Sequence, residues 1–258
     1  MGQTSNTYGG ELEVRPLAGW SETFWQHLEP YKQAIVEHPL FCGMSDGSLP
    51  AGTYRQALRA FYPLVENFPK YMALNLAKVR LHLPGHEPAK VWLIDNIKIE
   101  QRHAYWYEDW AAGFGIDART LRTLVPRPAA DAVNHFLWET GRQASLEEGI
   151  AATNIAIEWA TGEWSRSVYE GMKLYQKRGD AQPSRRTLAW LRAHAAYDDM
   201  HPYEAMELVR RICETPAQQD RALQAAKRGM AYYRLALDDC LGDGMMSKED
   251  EQERARTA

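Results

Sequence analysis

Cysteine is scarce: of 258 residues only Cys42, Cys213 and Cys240 carry a thiol. An odd, widely spaced set argues against a disulfide framework and for a reducing compartment, which leaves the thiols as structural side chains. A surplus of positive charge is missing as well. Lys and Arg number 30 against 34 Asp and Glu, giving a net charge of -4, so no basic stripe is present and nucleic acid is not an expected partner. No window approaches the roughly 18 apolar residues of a membrane span, and the opening MGQTSNTYGGELEVRPLAGW lacks the apolar segment of a signal peptide. The chain is therefore expected to be cytoplasmic, with no membrane partner. Asn6 stands where a myristoylation signal needs Ser or Thr. Strand-like alternation, internal repeats and low-complexity stretches are also wanting.

What is present is helical periodicity. It predicts an all-α protein: one bundle over residues 1–242, the first 18 irregular, followed by a charged, disordered tail at 243–258. Helices are expected over 21–38, over 53–80 with kinks at Pro63 and Pro69, and over 88–114 with Gly115 as C-cap. A shorter helix follows near 129–142. SLEE at 145–148 has capping-box spacing and opens a helix to about residue 177. After the break RGDAQPS, Ser184 caps a helix with a kink at Pro202, and Thr215 caps the last helix with Pro216 in its first turn.

The chemistry is concentrated in four segments. RAHAAYDDMHPYEAMEL places His194, Asp198 and His201 within about 60° of one another on a helix, so all three can address one point. IKIEQRHAYW carries Glu100 and His103 in a Glu-x-x-His pattern. Glu66 in FYPLVENFPKYMALNL and Glu158 in GIAATNIAIEWATGEW each interrupt an apolar run. A lone buried carboxylate costs several kcal/mol unless it is paired, protonated or metal-bound, so such acids need partners. Glu66, beside Asn67, has a solvated face as its alternative; Glu158 has a core hydrogen bond to Asn154; Glu163 is the rival acid on its helix and reads as solvated or salt-bridged. In order, Glu66, Glu100-x-x-His103, Glu158 and Asp198-x-x-His201 match the ligand order of carboxylate-bridged di-iron and di-manganese bundles, with His194 as an added imidazole. Carboxylates and imidazoles without thiolate suit iron, or less well manganese, better than structural zinc.

At these residues the sequence resembles the haem-oxygenase-like di-iron oxidases, relatives of the TenA and PqqC folds, whose pattern runs Glu, Glu-x-x-His, Glu, His-x-x-x-Asp-x-x-His. Within that family VEHPLF, LVENFPKYMALNLAKVR, WLIDNIKIEQRHAYW, IAATNIAIEWATGEWS and WLRAHAAYDDMHPYEAMEL look most like the UndA-like branch, which converts medium-chain fatty acids to terminal alkenes. The resemblance covers about residues 36–210. It implies a haem-oxygenase-like bundle of about seven helices, two Fe(II) ions, dioxygen as co-substrate and an external electron donor. It also implies Glu100, His194 and Glu158 at one iron, with Glu66, His103, Asp198 and His201 around the other.

The implied reaction is oxidative decarboxylation of a medium-chain fatty acid through a peroxo di-iron species and β-hydrogen abstraction. The sibling chemistry is N-oxygenation of a small amine or amino heterocycle. The ligand set does not separate them; an apolar tunnel favours the fatty acid, and polar acceptors beyond the iron favour the amine. Trp190, one turn before His194, together with Phe68 and Trp159, is a candidate for the substrate pocket, with ordinary core packing as the alternative. A TenA-like hydrolase would need a cysteine nucleophile, and all three cysteines lie outside the ligand segments. A PqqC-like cofactorless oxidase would have no use for so many inward carboxylates, and a purely structural helical protein would leave them unpaired. A homodimer is left open.

Overall fold

The computed structural model describes residues 12–182, 184–197 and 200–242. Among them every regular element is helical: α1 (Trp20–Val36), α2 (Pro39–Asp46), α3 (Ala51–Ala77), α4 (His86–Glu100), α5 (His103–Gly113), α6 (Ala118–Arg122), α7 (Pro128–Gln143), α8 (Leu146–Ile150), a π-helical turn (Ala151–Ile155), α9 (Ala156–Arg178), α10 (Ala189–Tyr197), α11 (His201–Ile212) and α12 (Pro216–Gly242). The all-α expectation holds, with more segments than the seven helices anticipated.

The differences have local causes. Pro39 starts α2 instead of merely ending α1, because proline's fixed φ and missing N–H suit a first turn; the His38 ring accepts the Leu40 N–H at 3.2 Å. The helical assignment of α3 runs through both Pro63 and Pro69. The segment read as one helix over 88–114 is two, separated at Gln101–Arg102, and α11 begins one residue before Pro202. Gly115 does terminate α5. Its φ of 78° is in the left-handed region, and Ile116 N–H donates back to the Ala111 carbonyl at 3.1 Å. At Ser145 the capping box forms: Glu148 accepts from the Ser145 N–H at 3.1 Å and from its hydroxyl at 2.6 Å. Thr215 Oγ1 accepts the Gln218 N–H at 3.3 Å, the N-cap contact expected for α12.

Helix α9 is central, packed on α10, α2 and α1, while α12 closes the other side on α7, α1 and the π-helical turn. Close approach is bought by small residues. A Cβ on Gly171 of α9 would stand 2.5 Å from the carbonyl oxygens of both Met44 and Ser45 on α2, so only glycine lets these helices meet. Aromatic stacks lock the bundle further. Phe41 lies 4.0 Å from Trp164, and Trp25 stacks at 4.1 Å on Trp159 and 4.9 Å on Tyr203, joining α1, α9 and α11.

Candidate metal centre and its cavity

Two interruptions in the helices flank one buried region. Helix α4 ends on Glu100 and α5 starts on His103; α10 carries His194 and α11 starts on His201. Helix α9 brings Glu158 from the opposite wall. Glu100, His103, Glu158 and His194 are all buried and line the same cavity. His103 Nδ1 stands 2.7 Å from Glu100 Oε2, and Glu158 Oε2 stands 3.5 Å from His201 Nδ1. The His103 and His194 rings are 4.6 Å apart.

Burial holds the Glu158 carboxyl above the ordinary carboxylate range; neighbouring Glu100 pushes the same way, against the pull of His201 and the Asn154 amide. Burial also pushes His194 well below the ordinary imidazole value, and the nearby His103 adds to that. His194 is thus a neutral imidazole. Its Nδ1 is 2.8 Å from the Trp190 carbonyl, which can only accept, so the proton sits on Nδ1 and Nε2 is the acceptor nitrogen. In that tautomer Nε2 is the nitrogen that could coordinate a metal.

The donor set fits a hard divalent ion. Glu158 Oε2 and His103 Nδ1 are buried polar atoms with no hydrogen bond of good geometry, although carboxylate and imidazole neighbours crowd them. Unmade hydrogen bonds are costly in a core, and a cation is a partner that either atom could take. No three His, Cys, Asp or Glu side chains among the described residues stand as a ready-made metal cage. Asp198, placed in the same sequence cluster, lies outside the described residues.

Two expectations need correction. Glu66 is not brought to the cluster: it is half-exposed on α3 and its carboxylate takes the Lys70 ammonium at 2.8 Å, the solvated alternative for this residue. Trp159 does not line the cavity. It is one residue, and so about 100°, from Glu158, which turns its ring to Trp25 and under the Lys32 ammonium at 4.9 Å. Phe68 and Trp190 do line it, with Trp190 stacked 3.8 Å from the His194 ring. Glu163, the rival acid, pairs with Lys32 at 2.7 Å.

The cavity lies between α3, α5, α9 and α10, with Phe41 and Met44 of α2 and Tyr233 of α12 completing its wall, and has a volume of about 660 Å³ including the space at its mouth. Its walls are apolar and aromatic, with Phe41, Met44, Leu58, Phe61 and Trp110 among them. The polar side-chain atoms beyond the cluster belong to Tyr107, Trp110, Thr161, Trp164, Trp190 and Tyr233; the Tyr107 hydroxyl donates to the Leu58 carbonyl at 3.0 Å, and the buried indole nitrogens of Trp110 and Trp190 make no hydrogen bond of good geometry. The Trp164 indole donates to Tyr233 Oη at 3.0 Å, and the Thr161 hydroxyl donates to the Ile157 carbonyl at 2.8 Å.

Sequence reading missed the π-helical turn that precedes Glu158. Such turns widen a helix locally and are frequent at functional sites. Within it, Asn154 Nδ2 donates to Glu158 Oε1 at 2.7 Å, a contact that the Asn-x-x-x-Glu spacing does announce.

Residues 55–234 match the profile of a family described as iron-containing redox enzymes. A crystal structure of a TenA homologue from Pseudomonas syringae pv. tomato str. DC3000 is 33% identical, superposes with a TM-score of 0.80, and the match covers 93% of this chain and all of that one. A haem-oxygenase-like domain of unknown function from Shewanella denitrificans OS217 is 15% identical with a TM-score of 0.72, covering 88% and 94%. A TenA-like thiaminase from Sulfolobus solfataricus P2 is 12% identical with a TM-score of 0.57, covering 86% and 97%. These last two share the fold. An uncharacterized protein of Haemophilus influenzae is 26% identical over 140 residues, 54% of this chain; the match spans 63% of that relative's length. With buried carboxylates and imidazoles gathered at one cavity and the family profile running from α3 into α12, the chain belongs to the haem-oxygenase-like family of iron-containing redox enzymes.

Proposed function

We propose that this protein is an oxygen-dependent non-haem di-iron oxidase that converts a medium-chain fatty acid to a terminal alkene. The observation that carries this reading is the cavity's lining: apolar and aromatic side chains surround Glu100, His103, Glu158 and His194. It suits an alkyl chain with its carboxylate at the cluster. A small amine would want charged or carbonyl acceptors along the wall, and outside the cluster the lining is apolar or aromatic apart from Thr161.

Glu100, His103, Glu158, His194 and His201 are the described residues that would hold iron, with Asp198 between the last two; Glu66 would join only by exchanging the Lys70 ammonium for a metal. Bound iron supplies the one-electron steps that dioxygen needs to react with a closed-shell substrate. The chain's own part is positional. His194 is kept neutral by burial and is oriented by the Trp190 carbonyl, Asn154 anchors Glu158, and the aromatic wall excludes water from the reacting end. Loss of a β-hydrogen and of the carboxyl group as carbon dioxide releases two electrons from the substrate. Reduction of dioxygen to two waters takes four, so the other two come from an external donor.

A thiol hydrolase, the reading suggested by the thiaminase neighbour, finds no support in the cavity. No cysteine lines it. Burial pushes the Cys213 and Cys240 thiols up to about 12, which removes the thiolate a nucleophile requires.

The test is anaerobic reconstitution with Fe(II), followed by oxygen and dodecanoic acid in one arm and a panel of small amines in the other. Alkene in the headspace with release of carbon dioxide supports the proposal. An oxidised nitrogen product without alkene makes the protein an N-oxygenase instead, and failure to take up iron overturns the metal reading.

A further inference from the structure

A buried chain of polar side chains joins the end of α3 to the candidate centre. The Lys78 ammonium donates to Asn75 Oδ1 at 3.0 Å and spends its other hydrogens on the carbonyls of Thr140 and Ser145, at 2.9 and 3.2 Å. Asn75 Nδ2 donates to Thr153 Oγ1 at 3.3 Å, Thr153 Oγ1 lies 2.9 Å from Asn154 Oδ1, and Asn154 Nδ2 reaches Glu158 Oε1 at 2.7 Å. Asn75, Thr153 and Asn154 are 0%, 1% and 0% exposed, so water does not interrupt the path.

The two ends fix the direction of every link. An ammonium only donates, which turns the oxygen of Asn75 to Lys78 and its nitrogen to Thr153; a carboxylate only accepts, which turns the nitrogen of Asn154 to Glu158 and its oxygen to Thr153. The hydroxyl therefore receives from Asn75 and gives to Asn154, sharing its hydrogen with the Gly149 carbonyl at 2.7 Å. All dipoles point from cation to carboxylate, the arrangement in which successive hydrogen bonds strengthen one another. Gly149 makes room for it: a Cβ there would overlap Asn75 Oδ1 and stand 2.8 Å from Lys78 Nζ. Burial lowers the Lys78 ammonium to about 8, against the pull of Glu148 and Glu147, which leaves it a cation at neutral pH.

We propose that Lys78 is a positioning residue for the candidate metal centre, acting through Asn75, Thr153 and Asn154 to fix the Glu158 carboxylate with Oε1 held by the protein and Oε2 on the His201 side. The role at the metal rests on the assignment of Glu158 as a ligand. The polarised chain itself does not.

The test compares the wild type with Lys78→Met, which removes the charge, and Thr153→Val, which breaks the middle link and keeps the charge. Two readouts are taken: the side-chain amide resonances of Asn154 in the metal-free 15N-labelled protein, identified with the Asn154→Ser variant, and affinity for Co(II), an air-stable probe for Fe(II). Both substitutions are expected to shift the Asn154 amide resonances and to weaken Co(II) binding, by up to the roughly tenfold that loss of a ligand's direct outer partner costs, since Thr153 and Lys78 act on Glu158 only through Asn154. If Lys78→Met fails to fold, Thr153→Val reads the same path. Unshifted amide resonances in a folded Thr153→Val protein overturn the proposal, even if Lys78→Met alone lowers affinity, because the charge would then act through space. Failure of the wild type to bind Co(II) overturns the metal assignment, and is told apart by the amide resonances, which need no metal.

Discussion

His194 Nδ1 lies 2.8 Å from the carbonyl oxygen of Trp190, one helical turn earlier on α10, and the two rings stack at 3.8 Å. The backbone of the same helix thereby chooses the tautomer of its histidine, and the indole sets the plane of the ring. Replacing His194 by Ala removes an imidazole that the fold has already oriented. Iron uptake is expected to fall by about tenfold or more, with oxygen-dependent turnover lost and the far-ultraviolet circular dichroism unchanged. Glu100→Ala should behave alike. Full turnover in either variant would overturn the site.

Glu163 shares α9 with Glu158 but faces Lys32, which also holds Glu29 at 2.8 Å. Glu163→Gln should leave iron loading unchanged and shift stability by no more than about 1 kcal/mol, the worth of a partly exposed ion pair. Strong loss of iron in that variant would show that the wrong acid on the helix has been chosen. Metal content by elemental analysis decides.

Gly171→Ala forces a methyl group against the Met44 and Ser45 carbonyls. Overpacking of this kind costs about 1–3 kcal/mol, so the urea midpoint should fall. Because Met44 and Phe41 of the displaced helix line the cavity, the fatty-acid chain length preferred under the proposed activity should change with it. An unfolding midpoint equal to that of the wild type would mean that α2 yields without resistance.

Cys42 is exposed and outside the cavity, with its Sγ 3.5 Å from the Glu37 carbonyl. Cys42→Ala should retain turnover. Loss of activity in that variant, measured with substrate and oxygen present, would bring thiol chemistry back into consideration.

The amino-acid sequence by itself determined the fold class, and it singled out Glu100, His103, Glu158 and His194, which the fold gathers at one cavity. Helical periodicity without strand alternation leaves little but a bundle, and caps such as Ser145, Gly115 and Thr215 are local devices whose partners lie within five residues. Acids and histidines at steps of three and four share a face where the backbone stays helical, and Glu100 and His103 meet between α4 and α5 because Gln101 and Arg102 keep right-handed helical dihedrals. Other features depend on partners remote in sequence. Whether Glu66 faces inward is decided by how α3 is rotated against its neighbours, and Lys70, one turn on, is there to take it outward. Trp159 goes to Trp25, from a helix more than a hundred residues away, and not to the cavity beside Glu158. The π-helical turn and the path from Lys78 to Glu158 require Gly149, Asn75 and Thr153 to be brought together from two segments of the chain. Periodicity reports only which face of a helix is apolar; packing decides what that face meets, and the shape of the cavity follows from it.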